Sequence, residues 1–353
     1  AARAVDVRGA TPSAPKRLRI NESIAAGTSP QHPIAAGEVA RIFTGAPLPA
    51  GADSVIRQED VEREVAHILV QRDRDAGGNV RRAGMDLQAG AIALRAGAVL
   101  GPHQVALLAA LAVAHPVVHR RPRVGILTSG DELVSLDHPD DILAGRRLAD
   151  ANSPALAALV TEAGGIAVPL GIARDTVAEL ERMVGDAGEI DFLITAGGVS
   201  VGDHDHVRTV MAACDVRTLF DRVRLRPGGP TTFGLFPGGR PWLALPGNPV
   251  SAMVTFELFA RPAIRAMAGH RLPFRPVFPV RLADEIRCDA TLEQYVRVTF
   301  ERADHGALAI ARVTGAQGSG MLMSIARADG LAIIPAGTDV LAAGSTVSAL
   351  RFG

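Results

Sequence analysis

Lysine is almost absent: Lys16 is the single one among 37 basic residues, and all the others are arginine. In a chain heavy in alanine, glycine and proline this looks like codon bias and carries no mechanism of its own. Net charge is absent too, since 37 acidic residues match the 37 basic ones. A neutral chain lacks the broad positive field that drives non-specific binding to nucleic acid, so any anion is held by local groups. Cysteine is scarce. Cys214 and Cys288 can build neither a disulfide framework nor a four-thiolate zinc site, and a cytoplasmic location is the expectation. The longest apolar run, 105–114, stops at His115-Pro116 and is too short to cross a bilayer, so no membrane partner is expected. The start does not read as a signal peptide, and an alanine at position 1 is consistent with a missing natural N-terminus.

The 353 residues suffice for two or three domains at roughly 150 each, with a core that needs no staples. Hydrophobic residues make up 48% and charged residues 21%, the balance of a folded enzyme rather than a disordered chain. Residues 1–86 alternate Gly/Pro-rich turns with short Val/Ile-rich runs at 39–43, 54–57 and 67–70, which predicts a small irregular β domain with little helix. Residues 87–120 carry a connecting helix over 104–114, ended by Pro116. In 121–270 three continuously apolar runs, 123–128, 191–195 and 241–245, each lead into glycine. Helical segments follow at 154–163 (Ser153 as N-cap), at 176–184 (Thr176 and Glu179 at capping-box spacing) and at 250–268, bent at Pro262. Apolar strands alternating with helices predict an α/β domain with a mainly parallel sheet, whose ligands sit beyond the carboxyl ends of the strands. Residues 271–353 return to strands at 277–282, 295–300, 308–313 and 331–334, a C-terminal β domain.

The chemistry gathers on the glycine loops. Gly197-Gly198-Val199-Ser200-Val201-Gly202-Asp203-His204-Asp205-His206 precedes a helical run, and glycines at a strand end let backbone amides approach a phosphate. The loop lacks the features of an ATP-binding P-loop and of a dinucleotide fingerprint; the alternative is a plain turn. Asp203 and Asp205 crowd two carboxylates beside this cradle, which makes sense if Mg²⁺ bridges them to phosphate oxygens. One capping the helix while the other is solvated is the competing interpretation. His204 and His206 alternate on a short loop, a poor geometry for tetrahedral zinc. Asp131, in Ser129-Gly130-Asp131-Glu132, brings a further carboxylate to the end of the first strand. Arg226-Pro227-Gly228-Gly229-Pro230 and Pro246-Gly247-Asn248-Pro249-Val250-Ser251 together offer a cation on a stiff loop and a hydroxyl at a helix start, an oxyanion pocket, although each alone would be a turn. Gly315-Ala316-Gln317-Gly318-Ser319-Gly320 adds amides and a hydroxyl.

In this order the segments resemble the bacterial MoeA family, molybdenum insertases that are similar to the E domain of gephyrin. The matching stretches are AAGEVARIFTGAPLPAGADSVIRQED (35–60), ILTSGDELV (126–134), ADANSPAL (149–156), LITAGGVSVGDHD (193–205), LRPGGPTTFG (225–234), LALPGNPVSAMVTFE (243–257) and GAQGSGMLMSIARADGLAIIP (315–335), nearly the whole chain. The resemblance implies a molybdopterin-binding central domain and a homodimer whose clefts are shared between subunits. It also implies a transferase reaction in which adenylylated molybdopterin and molybdate give molybdenum cofactor and AMP with Mg²⁺. By position, Thr44, Asp131 and Asp205 are its catalytic residues and Asp203 and Asp205 its metal ligands. Gly197, Gly198, Ser200, Gly202, Pro246, Gly247 and Asn248 would hold the pterin substrate. Arg226, Pro230, Ser251, Arg297 and Ser319 match the molybdate pocket. Partners implied are a molybdopterin adenylyltransferase and recipient molybdoenzymes.

The chain departs from the family at three places. Arg226 and Gly229 stand where the family reads Lys-Pro-Gly-Lys-Pro, so one cation is lost. A Met-Asp-Gly-Tyr-Ala motif has no counterpart before Ala1, and His206 replaces a tyrosine. These departures keep a non-catalytic molybdopterin-binding or scaffold paralogue as the alternative. A single-domain molybdopterin adenylyltransferase is disfavoured by the flanking domains.

Overall fold

The computed structural model describes residues 1–198, 206–302 and 307–353. It divides into two compact units, Ala1–Arg95 and Ala96–Gly353. The first holds strands β1 (Lys16–Ile24), β2 (Glu38–Ile42), β3 (Val61–Arg63) and β4 (His67–Val70) in the order β2-β1-β4-β3. Leu18, Val39 and Val70 fill its core with Val7, from a single helical turn at Ala4–Val7. The run 54–57, expected as a strand, makes only an isolated bridge at Ser54. Its neighbours bond to the following loop instead: Val55 N donates to Gly78 O, and Arg57 N to the Asp75 carboxylate. The longest strand of this unit, β1, was not expected. Its polar stretch Asn21-Glu22-Ser23 hides the alternation, and a register shift falls between Ile20 and Glu22.

The second unit opens with α1 (Pro102–Ala110), none of whose residues is buried. It stops four residues before the expected end, because Ala112 turns left-handed (φ 57°) and Val113 N bonds back to Leu108 O, closing the helix before Pro116 is reached. There follow β5 (Arg123–Ser129), α2 (Asn152–Glu162), β6 (Ile166–Ala173), α3 (Val177–Gly185), β7 (Phe192–Ala196), α4 (His206–Ala213), β8 (Arg217–Phe220), β9 (Leu225–Arg226), β10 (Thr232–Leu235), β11 (Pro241–Leu245), α5 (Pro249–Thr255) and α6 (Arg261–Met267). The central sheet runs β8-β10-β11-β7-β5-β6, with β6, β5, β7 and β11 parallel and β10 antiparallel to both of its neighbours, β11 and the edge strand β8. Every residue of β7 is buried because both faces are covered. Leu127, Leu193 and Trp242 pack on one side and Ile126, Phe192, Ile194 and Leu245 on the other, the period of two of a sheet. Each such side chain contributes about 1.5–3 kcal/mol by leaving water.

Two helix starts are informative. Thr176 Oγ1 accepts from Glu179 N at 3.3 Å, the expected cap. The cap of α2 is Asp150 rather than Ser153: its Oδ1 accepts from Asn152 N and Ser153 N at 3.0 and 3.1 Å, and α2 begins two residues before Pro154. The helical run expected over 250–268 is broken by a π turn, Phe256–Ala260, just before Pro262, whose missing N–H frees a carbonyl one turn back.

Strands β12 (Val277–Leu282), β13 (Glu293–Glu301), β14 (Ile310–Val313), β15 (Gly330–Ile334) and β16 (Thr346–Arg351), with α7 (Leu322–Ala326) after β14, form the last sheet. Its order is β9-β13-β14-β12-β16-β15, and β15 pairs again with β13, so five strands close into a barrel around Val280, Val298, Ala332 and Ile334. The short strand β9 belongs in chain order to the α/β part yet pairs with the barrel strand β13, Arg226 opposite Gln294.

Candidate active site

The carboxyl ends of β5, β7 and β11 lie side by side because the strands are parallel neighbours. Their backbones approach closely. A Cβ on Gly197 (φ 102°) would stand 2.5 Å from Ser129 O, so only glycine fits there, while one on Gly247 would stand in van der Waals contact, 3.4 Å from Gly197 Cα. Gly197 N donates to Leu245 O at 3.1 Å, and Asn152 Nδ2 donates to Gly247 O at 2.7 Å, so three strand ends and the start of α2 are joined. Behind them, buried Asp150 accepts from Thr128 Oγ1 at 2.8 Å and from Ser153 Oγ. Neither Asp150 nor Asn152 was singled out from the sequence, although an Asp-x-Asn-Ser run before a helix is a capping signal.

Gly197, Gly198, Pro246, Gly247 and Asn248 therefore share one edge. Ser200, Gly202, Asp203 and Asp205 lie outside the described residues. Asp131 is exposed, and its Oδ1 accepts from Asp175 N at 3.3 Å. Thr44 sits on an exposed turn of the unit Ala1–Arg95. Among the described residues, no group of three or more His, Cys, Asp or Glu could hold a metal ion.

The second cluster is cationic. Arg297, on β13, is 1% exposed, yet it makes no ion pair among the described residues. Its Nε donates to Ser324 Oγ at 3.1 Å and its Nη2 to Gly318 O at 3.1 Å. Gln317 Oε1 accepts from Arg297 N at 2.8 Å, which fixes the loop before α7 to the strand. Burial, and secondarily the charge of Arg226, push the Arg297 guanidinium down to about 10. Two cations that feel each other, with no carboxylate among the described residues bonded to either, are stabilised by an incoming anion. Ser319 lies on the same loop. Its Oγ accepts from Asn248 Nδ2 at 3.0 Å, and its carbonyl accepts from Val250 N at 3.2 Å. Ser251, the next residue, is 4% exposed.

The turn after Arg226 has two different glycines. Gly228 (φ 118°) would place a Cβ 2.1 Å from Thr255 Cγ2, and Thr231 Oγ1 donates to its carbonyl at 2.7 Å. Gly229 is not left-handed, and a Cβ there meets nothing closer than 3.7 Å, so a side chain fits. Pro230 is half-buried beside it. Arg226, Arg297, Ser319, Asn248 and Ser251 thus come from β9, the barrel, the loop before α7 and the start of α5. Gln317 and Ser324, which hold Arg297, had no distinct signal in the sequence.

Residues 1–112 match the MoeA N-terminal region (domain I and II), residues 125–266 a probable molybdopterin binding domain and residues 279–352 the MoeA C-terminal region (domain IV). The chain is 36% identical over 99% of its length, and 80% of the relative's, to a molybdopterin molybdenumtransferase of Nostoc sp.. It is 35% identical to molybdopterin molybdenumtransferase 2 of Mycobacterium tuberculosis over 98% of this chain and 85% of that one. Among solved structures it resembles the molybdopterin biosynthesis moeA protein from Pyrococcus horikoshii OT3, with a TM-score of 0.79 and 28% identity over 100% of this chain and 85% of that one.

Proposed function

The chain belongs to the MoeA family, and on that premise we propose that it is a molybdopterin molybdenumtransferase that inserts molybdenum from molybdate into adenylylated molybdopterin and releases AMP. The observation that carries this is Arg297, a buried guanidinium without a carboxylate, 3.1 Å from a carbonyl of the loop that bears Ser319. Arg226 and Arg297 together offer two positive charges to a dianion, and Ser319 and Ser251 supply hydroxyls that replace its water. Gly228 lets the Arg226 turn lie against Thr255 of α5, with Pro230 beside it. The glycine edge at Gly197, Gly198 and Gly247 lets backbone amides come close to a phosphate-bearing pterin.

The donor set of the loop after β7 suits Mg²⁺, since Asp203 and Asp205 offer two carboxylates five and seven residues past Gly198. When bound there, the cation would neutralise phosphate charge as AMP leaves. Asp131 is the further carboxylate proposed for this cleft, and Thr44 is proposed to act in the cleft of a partner subunit.

A homodimer is part of the proposal. All of α1 lies unburied in the single chain, including Val105 at 55% exposure, and the adjoining Val117 and Val118 are exposed too. A second copy would cover such an apolar helix. Among the described residues no helix is long and apolar enough to cross a membrane.

The test is incubation of the purified chain with adenylylated molybdopterin, molybdate and Mg²⁺. AMP release with metal incorporation is expected. Binding of the pterin without AMP release would instead favour a scaffold role, which the missing cation at Gly229 motivates.

A further inference from the structure

The segment that leads into the anion turn is Arg222-Val223-Arg224-Leu225-Arg226. Leu225 is buried and the three arginines are exposed, as an alternation of two dictates in an extended chain. Beside it is a cavity of about 440 Å³ whose lining is mainly apolar, with Val223, Leu225, Pro230 and Leu292 next to Arg222 and Arg224. Two arginines therefore border a cavity beside the turn that presents Arg226, and neither has a role in the site described above.

Each acidic neighbour of this cavity is hydrogen-bonded or ion-paired to another group, and the Asp289 carboxylate also feels the charge of Arg226. Asp221 pairs with Arg208 at 3.0 Å. Asp289 accepts from Thr291 N at 3.0 Å and from Thr291 Oγ1 at 2.6 Å. Glu293, opposite Leu225, accepts from the Tyr295 hydroxyl at 2.5 Å. Among the described residues Arg224 donates only to a carbonyl, Thr291 O at 2.8 Å. Arg222, Arg224 and Arg226 are exposed along one face of the segment and, like buried Arg297, make no ion pair among the described residues. Such a patch at a low-dielectric opening raises the local concentration of dianions.

Resting on the assignment of the Arg226–Arg297 pocket to molybdate, we propose that the cavity beside Gly229 is a capture site for tetrahedral oxyanion dianions, in which Arg222 and Arg224 draw the anion in before Arg226 and Arg297 hold it. Cations at an entrance act on the rate of arrival and are screened by salt, whereas buried cations act on the rate of departure. The two roles separate in one experiment.

Association and dissociation rate constants for molybdate are measured by rapid mixing with the full chain and with an Arg222→Gln/Arg224→Gln variant of unchanged melting temperature. At about 10 mM salt the variant associates on the order of tenfold more slowly; at about 1 M, where the Debye length falls from about 30 Å to about 3 Å, the difference disappears. Dissociation is the same in both. An Arg222→Lys/Arg224→Lys variant, which keeps the charge, associates like the parent. Equal association rates in parent and glutamine variant at low salt overturn the capture site, as does a change confined to dissociation. A parent chain that binds no molybdate overturns the pocket assignment together with this inference.

Discussion

Asn248 Nδ2 donates to Ser319 Oγ at 3.0 Å, so a side chain from the mouth of the α/β sheet and a hydroxyl from the barrel are held in one place. The proposed anion pocket draws on both layers, joined by this bond and by Val250 N to Ser319 O.

Arg297→Lys is expected to weaken molybdate binding by roughly 10–100-fold while leaving the fold intact. A lysine carries the charge but not the planar fork that spans Ser324 and Gly318. Titration calorimetry with molybdate checks it, with Arg297→Met as the charge-free control. Full affinity in Arg297→Lys would mean that charge alone suffices there.

The lowered Arg297 value sets a pH dependence. In the free folded chain its proton is lost near pH 10, while the unfolded group keeps it to its ordinary, higher value. Above about pH 10 the unfolded state therefore binds more protons, and this group's contribution to stability rises with pH. Molybdate binding does the opposite. The dianion favours the protonated guanidinium, so affinity is level below about pH 10 and falls above it, with proton uptake on binding. Calorimetry between about pH 8 and about pH 11, in buffers of different ionisation enthalpy, reads both. Arg297→Met removes the proton uptake.

Gly228 and Gly229 are expected to respond oppositely to side chains. Gly228→Ala destabilises by about 1–3 kcal/mol, because its Cβ would overlap Thr255 Cγ2 and its φ is left-handed. Gly229→Lys folds with an unchanged melting temperature and binds molybdate several-fold more tightly, having room for the side chain and adding a cation to the turn. A normal melting temperature for Gly228→Ala would show that α5 yields at Thr255.

If the proposed dimer shares its clefts, Thr44→Ala and Asp205→Asn chains, each inactive alone, should complement one another. Randomly re-paired subunits give half mixed dimers with one intact cleft in two, about a quarter of parental sites. Mixtures that have exchanged subunits and remain as inactive as either parent would put both residues in one chain's cleft.

How far the sequence discloses this structure depends on the range of the contacts concerned. Strand β11 was expected at its observed limits because five apolar residues run uninterrupted into Pro246-Gly247. Strand β6 was not, because Pro169 and Gly171 break its pattern, which an edge position tolerates. Thr176 announced its own helix, since a cap is a contact over three residues. Arg297 could be noticed only through resemblance. In a strand of period two a basic residue reads as solvent-facing, and what buries it arrives 20 to 27 residues later, at Gln317, Gly318 and Ser324.

The two-residue pairing of Leu225 and Arg226 with the barrel strand β13 bears on how the molecule can be taken apart. Cutting the chain near residue 270 looks like a clean excision of a finished α/β module, yet it would remove the partner that aligns Arg226, along with Arg297 and Ser319. What survives such a cut would keep its glycine edge and lose the groups proposed to hold the anion, so on this proposal pterin handling and metal handling are separable by truncation in one direction only.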